Sequence, residues 1–326
     1  MRIKRRIVRM LVGILVVLVL GVVGLRVAIT QPMTGRDPLP SGAQADPEAL
    51  RGRVLFLCED VKPRYYGRPE NLSRAADYIR DAFGATGAEV TEQTYEAGGD
   101  TFRNVIARLG GKNGPRIIVG AHYDVFGELP GADDNASGTA GLLEVARVLA
   151  SRDISVPVEL VAYSTEEPPF FASPQMGSAV HAASLIEAKT PVKAMICLEM
   201  IGYFSGEQSS WSSPLRLFYP GRGDFIMIAG RWRDRPLIAD IKRSFRGASD
   251  LDARSYCGPT SMGTDLSDHR NYWANDISAV MITDTAFLRN SNYHRTTDRP
   301  DTLDYDRMAN VVDGVVNAVI HLDLGE

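Results

Sequence analysis

Hydrophobic positions follow three different rhythms along this chain. Met10 to Leu25 is an uninterrupted apolar run, preceded by Arg2, Lys4, Arg5, Arg6 and Arg9. About sixteen residues rise about 24 Å as a helix, slightly less than a bilayer's hydrocarbon core. Flanking Arg9 and Arg26 lengthen the span by snorkelling. Further along, Glu48 to Leu57 and Leu72 to Phe83 carry apolar residues at helical spacing. Ala88 to Tyr95 and Phe102 to Leu109 alternate apolar and polar positions and predict an antiparallel strand pair. Short, almost wholly apolar runs at Arg116–Ala121, Val158–Ser164 and Ala194–Leu198, with Ala279–Thr283, predict buried strands. Helical segments intervene at Gly141–Ala150, Gly177–Ala188 and Pro236–Phe245, and Asp306–Leu322 closes the chain. Leu215–Tyr219 is predicted as one more strand.

Buried strands alternating with helices predict an α/β fold, a three-layer α/β/α sandwich around a mixed, mostly parallel sheet, preceded by one N-terminal transmembrane helix. The expected organisation is a basic flank and membrane anchor over residues 1–30, a linker rich in Pro, Gly and small polar residues over 31–47, and one folded domain over 48–326. The basic flank predicts a cytoplasmic N-terminus and an exported domain, periplasmic or extracellular. The competing reading is a cleaved signal peptide, which would make the protein secreted; Arg26-Val27-Ala28-Ile29-Thr30 fits a small-x-small cleavage site poorly. No internal repeat or low-complexity block interrupts the remainder.

Composition adds exclusions. The formal net charge of −4 is mild and offers no basic footprint for nucleic acid. Cys58, Cys197 and Cys257 are too few for a disulfide scaffold, and no C-x-x-C pair is present, so any metal must be held by His and carboxylates. A Cys58–Cys257 disulfide is left open by the sequence, and so is the oligomeric state.

The chemistry gathers at strand ends. His122-Tyr123-Asp124 follows Ile117-Ile118-Val119; Glu166-Glu167 and Glu199 follow two other apolar runs; Asp134 lies in Gly131-Ala132-Asp133-Asp134-Asn135-Ala136-Ser137-Gly138, and His294 in a late loop. In parallel sheets, ligands bind beyond the carboxyl ends of the strands. A pair of zinc-like cations needs imidazole and carboxylate ligands with one bridging carboxylate. Asp134 can bridge, His122 and Glu199 can complete one ion, and Glu167 and His294 the other. Asp124, two positions after His122, can orient the imidazole. Glu166 then remains as a proton acceptor, and Tyr293 can donate a hydrogen bond to a developing oxyanion.

Together, His122-Tyr123-Asp124, the Gly131–Gly138 segment, Thr165-Glu166-Glu167, Leu198-Glu199-Met200 and Tyr293-His294 resemble the co-catalytic di-zinc aminopeptidase family, which also includes glutamate-carboxypeptidase-like enzymes and glutaminyl cyclases. The resemblance spans about residues 100–320. It implies His122, Asp134, Glu167, Glu199 and His294 as metal ligands, Asp134 as the bridge in preference to Asp133, and Glu166 as general base. It implies two Zn2+ ions, or one if the protein is cyclase-like, and a peptide substrate. Two departures stand out: the position of Glu199 is most often Asp in the family, and Pro168-Pro169-Phe170-Phe171 replaces a small, Gly-rich turn.

Plainer explanations exist for each piece. His-x-Asp on a lone strand end is more often structural than metal-binding. Glu199 could be a buried paired carboxylate, and Asn135 or Ser137 a helix cap. His181 and His321 lie in helices and read as structural, while Asp268-His269 could line a pocket or brace a loop. The five sites in order outweigh these readings and predict a membrane-anchored zinc exopeptidase, an aminopeptidase by preference. A one-zinc glutaminyl cyclase is the runner-up and a non-catalytic receptor-like domain the third reading. The pocket is expected among loops 168–176, 203–214 and 256–271.

Overall fold

A computed structural model of the chain describes residues 2–32, 42, 44–208, 215–260 and 263–324. The first helix, α1 (Arg2–Thr30), runs continuously through the apolar segment. It is long and apolar enough to cross a membrane. Two helices follow, α2 (Pro47–Leu55) and α3 (Pro69–Gly84). Asp46 caps α2 by accepting the Glu48 N–H, with Pro47 in the first turn where its missing N–H costs nothing.

Eight strands form one mixed sheet: β1 (Glu89–Ala97), β2 (Asp100–Gly110), β3 (Arg116–His122), β4 (Pro157–Tyr163), β5 (Val192–Leu198), β6 (Phe225–Arg231), β7 (Asp252–Gly258) and β8 (Ala279–Thr283). Their spatial order is β1-β2-β4-β3-β5-β8-β6-β7. The central four, β4, β3, β5 and β8, run parallel, so their carboxyl ends share one edge. The antiparallel pair β1–β2 joins on one side and β6–β7, antiparallel to β8, on the other.

Side chains alternate across the sheet into two apolar layers. Ile117, Val119, Leu160, Ile196 and Ile282 face α2, α3, α4 (Gly138–Leu149), α6 (Arg235–Ala248) and α8 (Tyr305–Leu324). Ile118, Val161, Met195 and Met281 face the layer containing α5 (Gly177–Glu187) and α7 (His269–Ala274). This is the expected α/β architecture. Leu215–Tyr219 is not a strand: Leu215–Leu217 forms a single 3₁₀ turn, and Phe218 and Tyr219 are buried just beyond it, before Pro220-Gly221. The strand the pattern missed is Phe225–Arg231, together with its neighbour β7, whose polar sequence Asp-Ala-Arg-Ser-Tyr-Cys-Gly hides a strand at the sheet edge. Cys58, Cys197 and Cys257 are all buried free thiols, so the disulfide left open by the sequence does not form.

One polar group interrupts the second layer. Glu159, inside β4, is fully buried and accepts from Arg108 (2.8 Å) and Arg116 (2.9 Å), with His181 at 2.9 Å. Burial pushes its carboxyl up, but the His181 and arginine partners overcome this and hold it at about 2. A folded pKa below the unfolded value stabilises above the unfolded pKa, and the contribution is lost as pH falls through the folded one. Glu159→Gln is therefore expected to cost about 3–5 kcal/mol near neutral pH, because it strands two half-buried guanidinium groups and removes the carboxylate partner of the buried His181 ring. The gap from the parent should narrow on acidification from about 4.5 toward 2, which urea denaturation across that range measures.

Candidate metal centre

Each side chain of the site leaves the sheet at its carboxyl edge. His122 ends β3, Glu166 and Glu167 follow β4, Glu199 follows β5, and the loop after β8 carries Tyr293 and His294. Register aligns the first two sources, with His122 paired to Tyr163. Asp134 arrives from a kinked turn before α4, where Asp134 and Asn135 leave helical geometry and are joined by a cis peptide bond.

Asn135 serves as the cap expected of it and does more. Its Oδ1 accepts the N–H of Gly138 (3.1 Å) and of Met200 (3.0 Å), while its Nδ2 donates to Leu198 O (2.9 Å). One amide thus starts α4 and grips the backbone on both sides of Glu199. Gly138 allows this, since a Cβ there would collide with the Asn135 side chain and the Leu198 carbonyl.

Two triads result. His122, Asp134 and Glu199 form one, and Asp134, Glu167 and His294 the other; within each, the ligand atoms lie within 4.8 Å of one another. His122 Nε2 is 3.5 Å from Asp134 Oδ1 and 3.3 Å from Glu199 Oε2. His294 Nε2 is 3.1 Å from Asp134 Oδ2 and 3.5 Å from Glu167 Oε1. Asp134 therefore offers one oxygen to each side. Glu166 belongs to neither triad, and its Oε2 lies 3.9 Å from His122 Nε2. The structure brings together all five residues that the sequence singles out as metal ligands, with Glu166 beside them.

Asp124 has a wider reach than the sequence suggests. Its Oδ1 lies 3.4 Å from His122 Nδ1 and accepts the Glu166 N–H (3.1 Å), while Oδ2 accepts the Glu167 N–H (3.1 Å). Asp124 thus braces an imidazole from β3, whose Nδ1 meets the Asp124 backbone carbonyl (3.2 Å), and through its carboxylate the acidic pair after β4. Tyr293 stacks on the His294 ring at 3.8 Å, and Phe126 stacks on it at 4.2 Å.

The electrostatics fit cations at these points. His122 Nε2, Glu167 Oε1 and His294 Nε2 are buried without a hydrogen-bond partner, although carboxylate oxygens lie close. These three atoms face common points without pairing. Burial raises the Glu166 carboxyl well above its usual range, reinforced by Glu167 and Glu199. Burial and Asp134 lift Glu167 to about 8. His294 is held at about 10, since Asp134 and Glu167 outweigh the opposing effect of its burial. Such a cluster is short of positive charge, which a divalent ion supplies.

Sequence reasoning missed several supports. Asp298 accepts the N–H groups of Asp133 (2.9 Å) and Asp134 (3.1 Å), fixing the bridge candidate's backbone. Asp133 accepts from Gly202 N–H (3.0 Å) and Asn290 Nδ2 (2.7 Å). Ser267 Oγ donates to Glu199 Oε2 at 2.6 Å. Asp268-His269, which the sequence left as pocket-lining or loop-bracing, divides: Asp268 is fully buried near the site and raised to about 7 mainly by burial, and His269 meets the Thr264 carbonyl (2.6 Å). His181 and His321 are structural, bound to Glu159 and Arg243 respectively.

Beside Glu199 and Tyr293 opens a cavity of about 90 Å³, walled by Tyr219, Met227, Tyr256 and Met281 and rimmed by Leu266 and Phe287. Of the loops expected to line a pocket, 256–271 contributes to it. Loop 168–176 does not line this one: Ala172, Ser173 and Pro174 line a separate cavity with Asp265 and Asn271, and Phe170 packs against Tyr66 and Phe102. Residues 209–214 of the third loop lie outside those described.

A parallel sheet edge that gathers two His/carboxylate triads around one shared aspartate has the donor set of an α/β metal enzyme. The chain belongs to peptidase family M28, whose sequence profile matches residues 104–319, and it is accordingly a peptidase. Family membership implies zinc. The chain is 47% identical to the Escherichia coli (strain K12) protein YfbL over 293 residues, 86% of this chain and 90% of that one. It is 28% identical over 242 residues to leucine aminopeptidase 1 of Ajellomyces capsulatus (strain H88), covering 68% of this chain and 57% of that protein. It thus spans little more than half the length of that aminopeptidase. LapB from Legionella pneumophila shares the fold, with a TM-score of 0.70 and 22% identity, covering 86% of this chain and 73% of that one. So does Porphyromonas gingivalis glutaminyl cyclase, with a TM-score of 0.66 and 20% identity, covering 87% and 100%.

Proposed function

We propose that the protein is a two-zinc aminopeptidase, carried on the membrane by α1, with its catalytic unit in residues 48–326 and facing outward. One observation carries the reading: two triads share Asp134 while Glu166 stands free beside them. His122, Asp134 and Glu199 would hold one cation, and Asp134, Glu167 and His294 the other. The cations supply Lewis acidity toward the scissile carbonyl and toward water.

The chain's own residues do the rest. Glu166 takes the proton of the attacking water and returns it to the leaving amine. Tyr293, held flat against His294, donates its hydroxyl to the developing oxyanion. Asp124 keeps His122 and the Glu166 backbone in fixed relation, so proton acceptor and ligand cannot drift apart.

The apolar cavity next to Glu199 and Tyr293 supports an uncharged, apolar side chain at the substrate's N-terminal residue. A panel of aminoacyl and N-blocked peptides, with and without chelator, tests both statements. Leu and Phe substrates are expected to exceed Asp and Lys substrates in kcat/KM by roughly tenfold or more. Blocking the amine or removing metal should abolish turnover. Cyclisation of N-terminal glutamine without hydrolysis would instead establish the cyclase reading.

A further inference from the structure

Arg64 is fully buried, guanidinium included. A side chain buried for packing alone would be apolar, since a buried polar group must find partners. Arg64 finds them on the main chain of three segments. Its Nε donates to the Tyr123 carbonyl (2.9 Å) and its Nη2 to the Gly131 carbonyl (3.0 Å). Its Nη1 donates to the carbonyls of Leu57 and Pro130, the latter at 3.3 Å, and the Cys58 thiol lies beside it. In return, the Arg64 carbonyl accepts the Val125 N–H (2.8 Å).

These partners bracket the loop 123–131 at both ends. Tyr123 directly follows His122, and Gly131 lies three positions before Asp134. Gly131 has a φ of +59°, and a Cβ there would collide with the Val125 side chain and the Asp134 carbonyl, so the two ends of the loop meet closely where Arg64 joins them. The Gly131 carbonyl also accepts the Ala136 N–H (3.2 Å), which carries the turn past Asp134. Within the loop, Phe126 lies flat on the His294 ring, with an interplanar angle of 4°. Glu128 meets the Tyr65 hydroxyl (3.3 Å) and Arg68 (3.6 Å), so the loop's outer side is tied to the segment that carries Arg64. Three of the five candidate ligands, His122, Asp134 and His294, thus adjoin one loop closed by one guanidinium. A planar fork reaches carbonyls on both sides of the loop at once, which a compact ammonium cannot.

We propose that Arg64 is a positioning residue for the metal centre: it closes loop 123–131 and sets His122, Asp134 and, through Phe126, His294 before an ion binds. The proposal rests on the reading of these residues as ligands. Full-length protein in detergent, as parent, Arg64→Lys and Arg64→Met, provides the test. Zinc affinity, measured by competition with a chelator, is expected to fall about 10–100-fold in both variants. Lys keeps the charge and Met the approximate volume, so loss in both assigns the effect to the fork. A merely structural Arg64 would lower the Tm of the metal-free variants and leave the zinc affinity of the folded molecules unchanged; parent affinity in either variant overturns the proposal. Hydrogen exchange of the parent needs no variant. The Val125 amide is expected to be as protected without zinc as with it, and exchange that slows only when zinc is added would show that the ion, not Arg64, orders the loop. A parent that binds no zinc overturns the ligand reading instead, whereas a zinc-binding parent with unchanged variants overturns only the role of Arg64.

Discussion

Replacing Glu166 with Gln is expected to lower kcat by about a thousandfold while leaving bound metal unchanged. The geometry separates the two effects. Glu166 lies outside both triads, its Oε2 3.9 Å from His122 Nε2, so neither ion site loses a ligand. Its position depends on its backbone N–H, which Asp124 holds at 3.1 Å and which the substitution does not touch. Gln fills the same volume but cannot accept and return a proton. KM should change little, because the loss falls on a group that acts in the transition state. Steady-state kinetics with elemental analysis of the same preparation decides the matter. Parent-like turnover would remove Glu166 from the proton path, and loss of metal would make it a ligand.

Much of the site was legible because three of its sources end or directly follow a buried strand. Ile117–Val119 announces His122, Val158–Tyr163 announces Glu166 and Glu167, and Met195–Leu198 announces Glu199. A parallel sheet then does the geometric work of bringing distant positions to one edge. The sheet's far side was not legible. β7, at the sheet edge, mixes polar and small residues without an apolar run, and α7 spans six residues, too few for a helical period to register. The supports were hidden for another reason. Asp298 meets Asp133 across 165 positions, and Ser267 meets Glu199 across 68. Their carboxylate or hydroxyl has no local partner pattern, so only the folded chain reveals what each holds. Glu199 illustrates the interplay. The longer side chain, unusual at that position, finds Ser267 Oγ at 2.6 Å while its backbone is clasped by Asn135, so it faces His122 in a fixed pose.

Asp134→Asn should have the broadest consequence, since Asp134 alone serves both triads. An amide offers one oxygen where two are needed and adds N–H groups that repel a cation. Partners that merely orient a ligand cost 10–100-fold in metal affinity when removed; loss of the shared ligand should cost more than that at each site. The expected result is a fall from two zinc equivalents to fewer than one, with hydrolysis lost. The fold should survive, because Asp298 holds the Asp134 backbone N–H and Asn135 holds the turn, and neither contact uses the Asp134 carboxylate. Thermal unfolding supplies a readout free of catalysis. A ligand present at about a thousand times its Kd stabilises the folded state by about 4 kcal/mol, so zinc should raise the parent's Tm by several degrees and leave the variant's unmoved. Retention of two equivalents by the variant would show that Asp134 is no bridge. A parent that binds a single equivalent would overturn the two-cation reading itself and turn the argument toward the cyclase chemistry that the fold also hosts.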